Sequence, residues 1–114
     1  MDIDKHQEKC LTFCTYPSTE AGNIEELYYL AGLLAEEVGE VLGKINKPYR
    51  KGQRYLTDDQ HNKLAKELGD CYWALGQLCR VVGIRPSMIL EMNVQKLTDR
   101  QERGVIDVGE GDNR

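Results

Sequence analysis

Leu33-Leu34-Ala35-Glu36-Glu37-Val38-Gly39-Glu40-Val41 and Ala65-Lys66-Glu67-Leu68-Gly69-Asp70 are the stretches whose reading decides the fold. Residues three apart on a helix share a face, so Glu37 points with Glu40 and Glu67 with Asp70. Around the first pair, Leu27, Leu30, Leu34, Val38, Val41 and Ile45 recur at helical spacing and predict a helix over about 24–45. Leu64, Leu68, Cys71, Leu75, Leu78 and Val82 do the same for a helix carrying the second pair.

Working outward, the punctuation is helical. Lys47-Pro48 ends the second helix, because proline disfavours helix at the residue before it, and the basic run 47–54 becomes a loop. Thr57-Asp58-Asp59-Gln60 has the hydroxyl and glutamine of a capping box and opens the third helix, which Gly83 closes. Pro86 suits the first turn of a fourth helix running to about Arg103. A first helix is expected over 3–14, a loop over 16–23 and an irregular tail over 105–114. No segment reads as a strand. The expected class is all-α, a bundle of about four helices in one domain spanning 1–114.

Composition narrows the function. The chain has 114 residues and a formal net charge of −4, which argues against nucleic acid as a partner. No apolar run approaches the ~20 residues of a membrane helix, and the charged opening MDIDKHQEK is not a secretory signal, so a cytoplasmic protein is expected. Cys10, Cys14, Cys71 and Cys79 form no CxxC pair and read as free thiols in a reducing compartment. His6, Cys10 and Cys14 fall four apart and would align on a helix. Zinc would want a fourth ligand that the sequence does not offer, and half-buried cysteines beside a surface histidine are the plainer reading.

If the two acidic helices pack antiparallel through their apolar stripes, Glu37, Glu40, Glu67 and Asp70 converge in a partly buried groove. Two like charges ~5 Å apart repel by about 3 kcal/mol at an effective dielectric of 20. Such a cluster either protonates or takes cations, and oxygen ligands suit Mg²⁺ or Mn²⁺. The competing reading is a solvated acidic face. Glu36 points about 100° away from Glu37, as a water-orienting group or an exposed one. On the fourth helix Asn93, Lys96, Arg100 and Arg103 share a face that matches phosphate oxygens, or is an ordinary polar face. Lys44, one turn past Glu40, is within reach of a phosphate or is a cation near a helix end. Trp73, the single tryptophan, is either a core residue or a surface on which a base stacks.

Taken together, Glu36-Glu37-x-x-Glu40, then Glu67-x-x-Asp70, then Glu91-Met92-Asn93-x-x-Lys96-Leu97-x-x-Arg100-x-x-Arg103-Gly104 resemble the MazG-like branch of the all-α nucleoside-triphosphate pyrophosphohydrolases. The likeness runs from about Tyr16 to the C-terminus and includes Gly111-Asp112-Asn113-Arg114. Arg85 departs from it, standing where a small polar helix cap is usual. The resemblance implies a homodimer or dimer of dimers with its site between the second, third and fourth helices. It places Glu37, Glu40, Glu67 and Asp70 as metal ligands and, with Glu36, as the catalytic acids. Asn93, Lys96 and Arg100 take the phosphate contacts. The implied reaction is Mg²⁺-dependent cleavage of an NTP or dNTP to monophosphate and pyrophosphate. The alternative is a nucleotide-binding module without turnover. A di-iron bundle is disfavoured, since neither His6 nor His61 follows a glutamate at Glu-x-x-His spacing.

Overall fold

The computed structural model describes residues 1–16 and 24–104. Among them are four α-helices and no strand: α1 Ile3–Cys10, α2 Ile24–Arg50, α3 Asp58–Val82 and α4 Pro86–Glu102, with a 3-10 turn at Leu11–Phe13. Most of the expected 16–23 loop and the whole 105–114 tail lie outside the described residues.

α2 and α3 form the most extensive contact and run antiparallel, joined by a short turn. Leu30, Ala74 and Val81 are buried along their seam. The capping box is present in full: the Gln60 N–H donates to Thr57 Oγ1 at 3.1 Å and the Thr57 N–H donates to Gln60 Oε1 at 2.9 Å. Gly83 ends α3 in the left-handed conformation, φ 84°, which a residue with a Cβ adopts only under strain.

Two boundaries differ from the sequence expectation. α2 does not stop at Lys47; Pro48 is buried inside its last turn and the helix runs to Arg50. So near the C-terminus, Pro48 withholds only one intrahelical donor, and its carbonyl accepts from the Lys51 and Gln53 N–H groups that turn the chain. α1 ends at Cys10 rather than Cys14, because the Thr12 hydroxyl donates to the Lys9 carbonyl at 2.9 Å and the chain tightens to i→i+3 bonding.

α1 lies across α3. The Gln7 side-chain amide donates to the Gly76 carbonyl at 2.8 Å, and the Gln77 amide donates to the Gln7 carbonyl at 3.3 Å. α4 packs chiefly on α1 and α3. Arg85 gives it no side-chain cap. The cap comes from α1 instead: Asp4 accepts from the Ser87 N–H at 2.9 Å and from its hydroxyl at 2.6 Å, and these bonds hold the Asp4 carboxyl below its usual range.

Candidate metal and nucleotide site

The α2–α3 seam carries two polar stations. At its open end Glu26 is 0% exposed. Its Oε2 accepts from Arg80 Nη2 at 2.7 Å and from the Tyr16 hydroxyl at 2.8 Å, while Arg80 Nε donates to Gln77 Oε1 at 2.8 Å. Burial opposes the guanidinium charge, but Glu26 outweighs it and holds the Arg80 pKa above its ordinary value. Burial, then the bond to Glu26, pushes the Tyr16 phenol up. Tyr16 stacks on Tyr29 with centroids 4.8 Å apart and meets Trp73 edge-on at 6.4 Å.

The second station lies between the middles of the two helices. Carboxylate oxygens of Glu37, Glu67 and Asp70 all come within 4.8 Å of one another, the one such group among the described residues. Glu37 and Glu67 are half-buried and Asp70 is exposed. Burial first, then the charges of Asp70, Glu67, Glu40 and Glu36, raise the Glu37 carboxyl above its usual 4.5. The same burial and acids raise the Cys71 thiol beside them. Lys44 Nζ approaches Glu67 only to 3.9 Å. Three converging hard oxygen donors with so little built-in positive charge fit a divalent cation such as Mg²⁺.

The sequence expectation put Glu40 in this cluster. The structure leaves it outside the trio, exposed, on the wall of a neighbouring cavity of about 400 Å³ that Lys44, Lys47, Arg50 and Lys63 also line. Its charge still reaches Glu37, and its side chain shares the cavity wall with those four cations. Lys47, Arg50 and Lys63 were not singled out in the sequence. Their signal is the row 40–44–47 on α2 facing 60–63–67–70 on α3, obscured by reading 47–54 as loop.

Glu36 is exposed. On α4, Asn93 and Lys96 are exposed, whereas Arg100 is 7% exposed and held within the fold. No α4 residue lines either cavity beside the acids. Trp73 is half-buried and lines a second cavity that includes Asp70. His6 Nε2 lies 3.4 Å from Cys10 Sγ, and Cys14 Sγ turns to the Cys10 carbonyl at 3.9 Å, so the three do not gather as zinc ligands. All four cysteines are free. No described helix is long and apolar enough to cross a membrane.

The family model of the MazG nucleotide pyrophosphohydrolase domain matches residues 25–105. The Gene 37 protein of Mycobacterium phage L5 is similar at 34% identity over 115 residues, covering 100% of both chains. No solved structure matches.

Proposed function

The chain belongs to the MazG nucleotide pyrophosphohydrolase family, and from that premise we propose that it hydrolyses a nucleoside or deoxynucleoside triphosphate to the monophosphate and pyrophosphate with Mg²⁺ as cofactor. The observation that carries the reading is the Glu37–Glu67–Asp70 cluster, three oxygens within 4.8 Å on facing helices.

In the proposed reaction these carboxylates, joined by Glu40 one turn away, hold the cation. A bound Mg²⁺ supplies Lewis-acid polarisation of phosphoryl oxygens and acidifies water; Mn²⁺ is the alternative ion. Water oxygen bonds to the α-phosphorus, the bond from that phosphorus to the α–β bridging oxygen breaks, and the bridging oxygen leaves with pyrophosphate. Glu36, exposed beside Glu37, orients the water and takes its proton. Lys44, Lys47, Arg50 and Lys63 face the charge that develops on the leaving group. The resemblance alone assigns Asn93, Lys96 and Arg100 to triphosphate oxygens, since Arg100 is buried and no α4 residue lines the cavities beside the acids; in this reading the whole chain acts as one cytoplasmic domain.

The proposed state is a homodimer or dimer of dimers. The Cα radius of gyration is 17.0 Å, against about 13 Å for a compact chain of this length. Large apolar side chains stay exposed on three helices: Val38 and Leu42 on α2, Leu68 and Leu75 on α3, Leu90 and Val94 on α4. A second copy of the chain covers them.

The test is product analysis over a panel of NTPs and dNTPs with Mg²⁺. Monophosphate plus pyrophosphate is expected, reduced at least 100-fold in Glu40→Gln and Asp70→Asn. Unchanged pyrophosphate release from both variants, or nucleotide binding without any release, overturns the assignment.

A further inference from the structure

The turn that joins α2 to α3 is the basic part of an acidic molecule. From Val41 to Thr57 the sequence has five cations, Lys44, Lys47, Arg50, Lys51 and Arg54, and no acid, in a chain of net charge −4. Tyr49 and Tyr55 stand among them, 74% and 87% exposed. Lys44, Lys47 and Arg50 line the cavity beside the acidic cluster. Tyr49, Lys51, Arg54 and Tyr55 do not, and the hydrolase reading gives them no task.

We propose that this turn is a docking surface for single-stranded nucleic acid, with Lys51 and Arg54 on the phosphates and Tyr49 and Tyr55 stacked on unpaired bases. The inference goes beyond the hydrolase reading and does not depend on it. The net charge argues against a nucleic-acid partner only by averaging a basic turn with an acidic remainder.

Three observations carry it. The first is charge without a counterpart. The flanking cations are answered, Lys44 by Glu67 at 3.9 Å and Lys63 by Asp59 at 3.0 Å. Among the described residues Lys47, Arg50, Lys51 and Arg54 make no ion pair, and all four are exposed. The dipole of α2 favours Lys47 and Arg50 in its last turn, but Arg54 lies beyond the helix end, where that attraction has faded.

The second is the pair of open rings. Tyr49 is followed by Arg50 and Tyr55 is preceded by Arg54. Unpacked aromatic faces beside unpaired cations suit a single strand, whose backbone follows the charges while its bases stack on the rings. A duplex keeps its bases stacked on one another and leaves the rings without partners. A lipid surface calls for apolar side chains that enter it. This turn offers no exposed aliphatic one, since Pro48 is buried and Leu56 half-buried.

The third is a fixed shape. The Pro48 carbonyl accepts from the Lys51 and Gln53 N–H groups at 3.1 and 3.0 Å, and Gly52 turns the chain at φ 80°. The Gln53 side-chain amide donates to the Tyr55 carbonyl at 3.3 Å and to Gln60 Oε1 at 3.0 Å, which braces the turn against the start of α3. A strand that docks here has little protein left to order.

The full-length protein is titrated in chelator, so that no metal bridges an anion to the acidic cluster. The probes are labelled oligo-dT, oligo-rU, a duplex of the same length, and vesicles of phosphatidylcholine with phosphatidylserine. Both single strands are expected to bind, and more tightly than the duplex. Lys51→Ala combined with Arg54→Ala lowers the magnitude of the slope of log affinity against log salt by about 1.4. Tyr49→Ala and Tyr55→Ala each weaken binding about fivefold or more and leave that slope unchanged. All these variants keep the thermal stability and the pyrophosphate release of the wild type. The proposal is overturned by absence of single-strand binding at low salt, by binding that the Lys51 and Arg54 variant leaves untouched, or by vesicle binding in place of oligonucleotide binding. Tyrosine variants that bind as the wild type does overturn it as well. Pyrophosphate release without oligonucleotide binding removes this surface and leaves the hydrolase reading standing, and oligonucleotide binding without release does the reverse.

Discussion

Glu26 and Glu37 stand on one helix, about three turns apart and within about 20° of the same face, and α3 answers them in opposite ways. Opposite Glu26 it places Arg80, at 2.7 Å, with Tyr16 donating to the same Oε2 and Gln77 accepting from Arg80, while the buried Glu26 Oε1 has no hydrogen-bond partner among the described residues. Opposite Glu37 it places two more acids. The molecule thus contains its own demonstration of how a carboxylate at this seam is neutralised by the chain. Where a guanidinium is absent and like charges converge, the compensating charge has to come from solution. The difference separates an acid whose charge the chain compensates from acids that need a cation or a proton from solution, without reference to either one's position in a motif.

The largest expected effect tests the structural half. Arg80→Met leaves Glu26 buried and unpaired, and breaking a buried pair in this way costs about 3–5 kcal/mol. Urea unfolding of the single variant measures that loss, and Glu26→Leu combined with Arg80→Met recovers most of it. A single-variant loss under about 1 kcal/mol would mean that Glu26 is neutralised elsewhere, and the contrast with Glu37 would collapse.

Next in size is the ligand half. A cation that binds only the folded state at a hundred times its Kd adds about 2.7 kcal/mol. Wild-type protein in chelator, then in excess Mg²⁺, should show a stabilisation of this order, with Glu67→Gln and Asp70→Asn losing most of it. Arg80 variants, though weaker overall, should keep the increment, because their lesion is at the other station. An Mg²⁺ response equal in all of them would detach the cation from the cluster.

The two stations were unequally legible in the sequence, for a physical reason. Glu37, Glu67 and Asp70 are visible because each helix declares its own face by local spacing, and the antiparallel pairing follows from two apolar stripes joined by a short turn. Thr57 and Gln60 are legible for the same reason, as a cap contained within four residues. Glu26 looks like an ordinary acid in a first helical turn, where the macrodipole favours one; its partner lies 54 residues away. The cap of α4 is hidden likewise: Arg85 gives no signal, and Asp4 supplies the acceptor from 83 residues earlier. Glu40 shows the opposite limit. Its face was predicted from spacing, but which of two adjoining environments its side chain joins, acidic or cationic, depends on Lys47 of α2 and Lys63 of α3 lining one cavity across the seam.

A smaller effect concerns the sign of the Glu37 charge. Its folded-state pKa lies above 4.5 through burial and then through Asp70, Glu67, Glu40 and Glu36, with Lys44 the nearby cation on Glu67. A raised acid binds its proton more tightly in the folded state, so its contribution to stability is full below about pH 4.5 and is lost as pH rises through the folded pKa. In chelator at neutral pH, Glu37→Gln should therefore be slightly more stable than wild type, by about 1 kcal/mol or less for so open a site. The two should converge in acid. Thermal unfolding from pH 4 to 8 reads this directly, and a variant less stable than wild type at pH 7 would show the Glu37 charge to be compensated within the chain, as that of Glu26 is by Arg80.

Lys44 gives the finest test, because it is where the two stations come closest to being alike. It is the cluster's counterpart of Arg80, but it stands 3.9 Å from Glu67 with its side chain 39% exposed, against 2.7 Å and 18% for Arg80. A half-exposed ammonium at that distance contributes a few tenths of a kcal/mol and is weakened by salt. Lys44→Met should lower metal-free stability by that small amount at low ionic strength and by nothing measurable in high salt. In the same variant Mg²⁺ should bind more tightly, since a competing positive charge has gone. Triphosphate should bind less tightly, since Lys44 also lines the cationic cavity. The opposite signs are the informative part. A Lys44 that merely anchored the α2–α3 pair would move stability, cation affinity and triphosphate affinity in one direction. Only a charge shared between the two ligands moves the affinities apart.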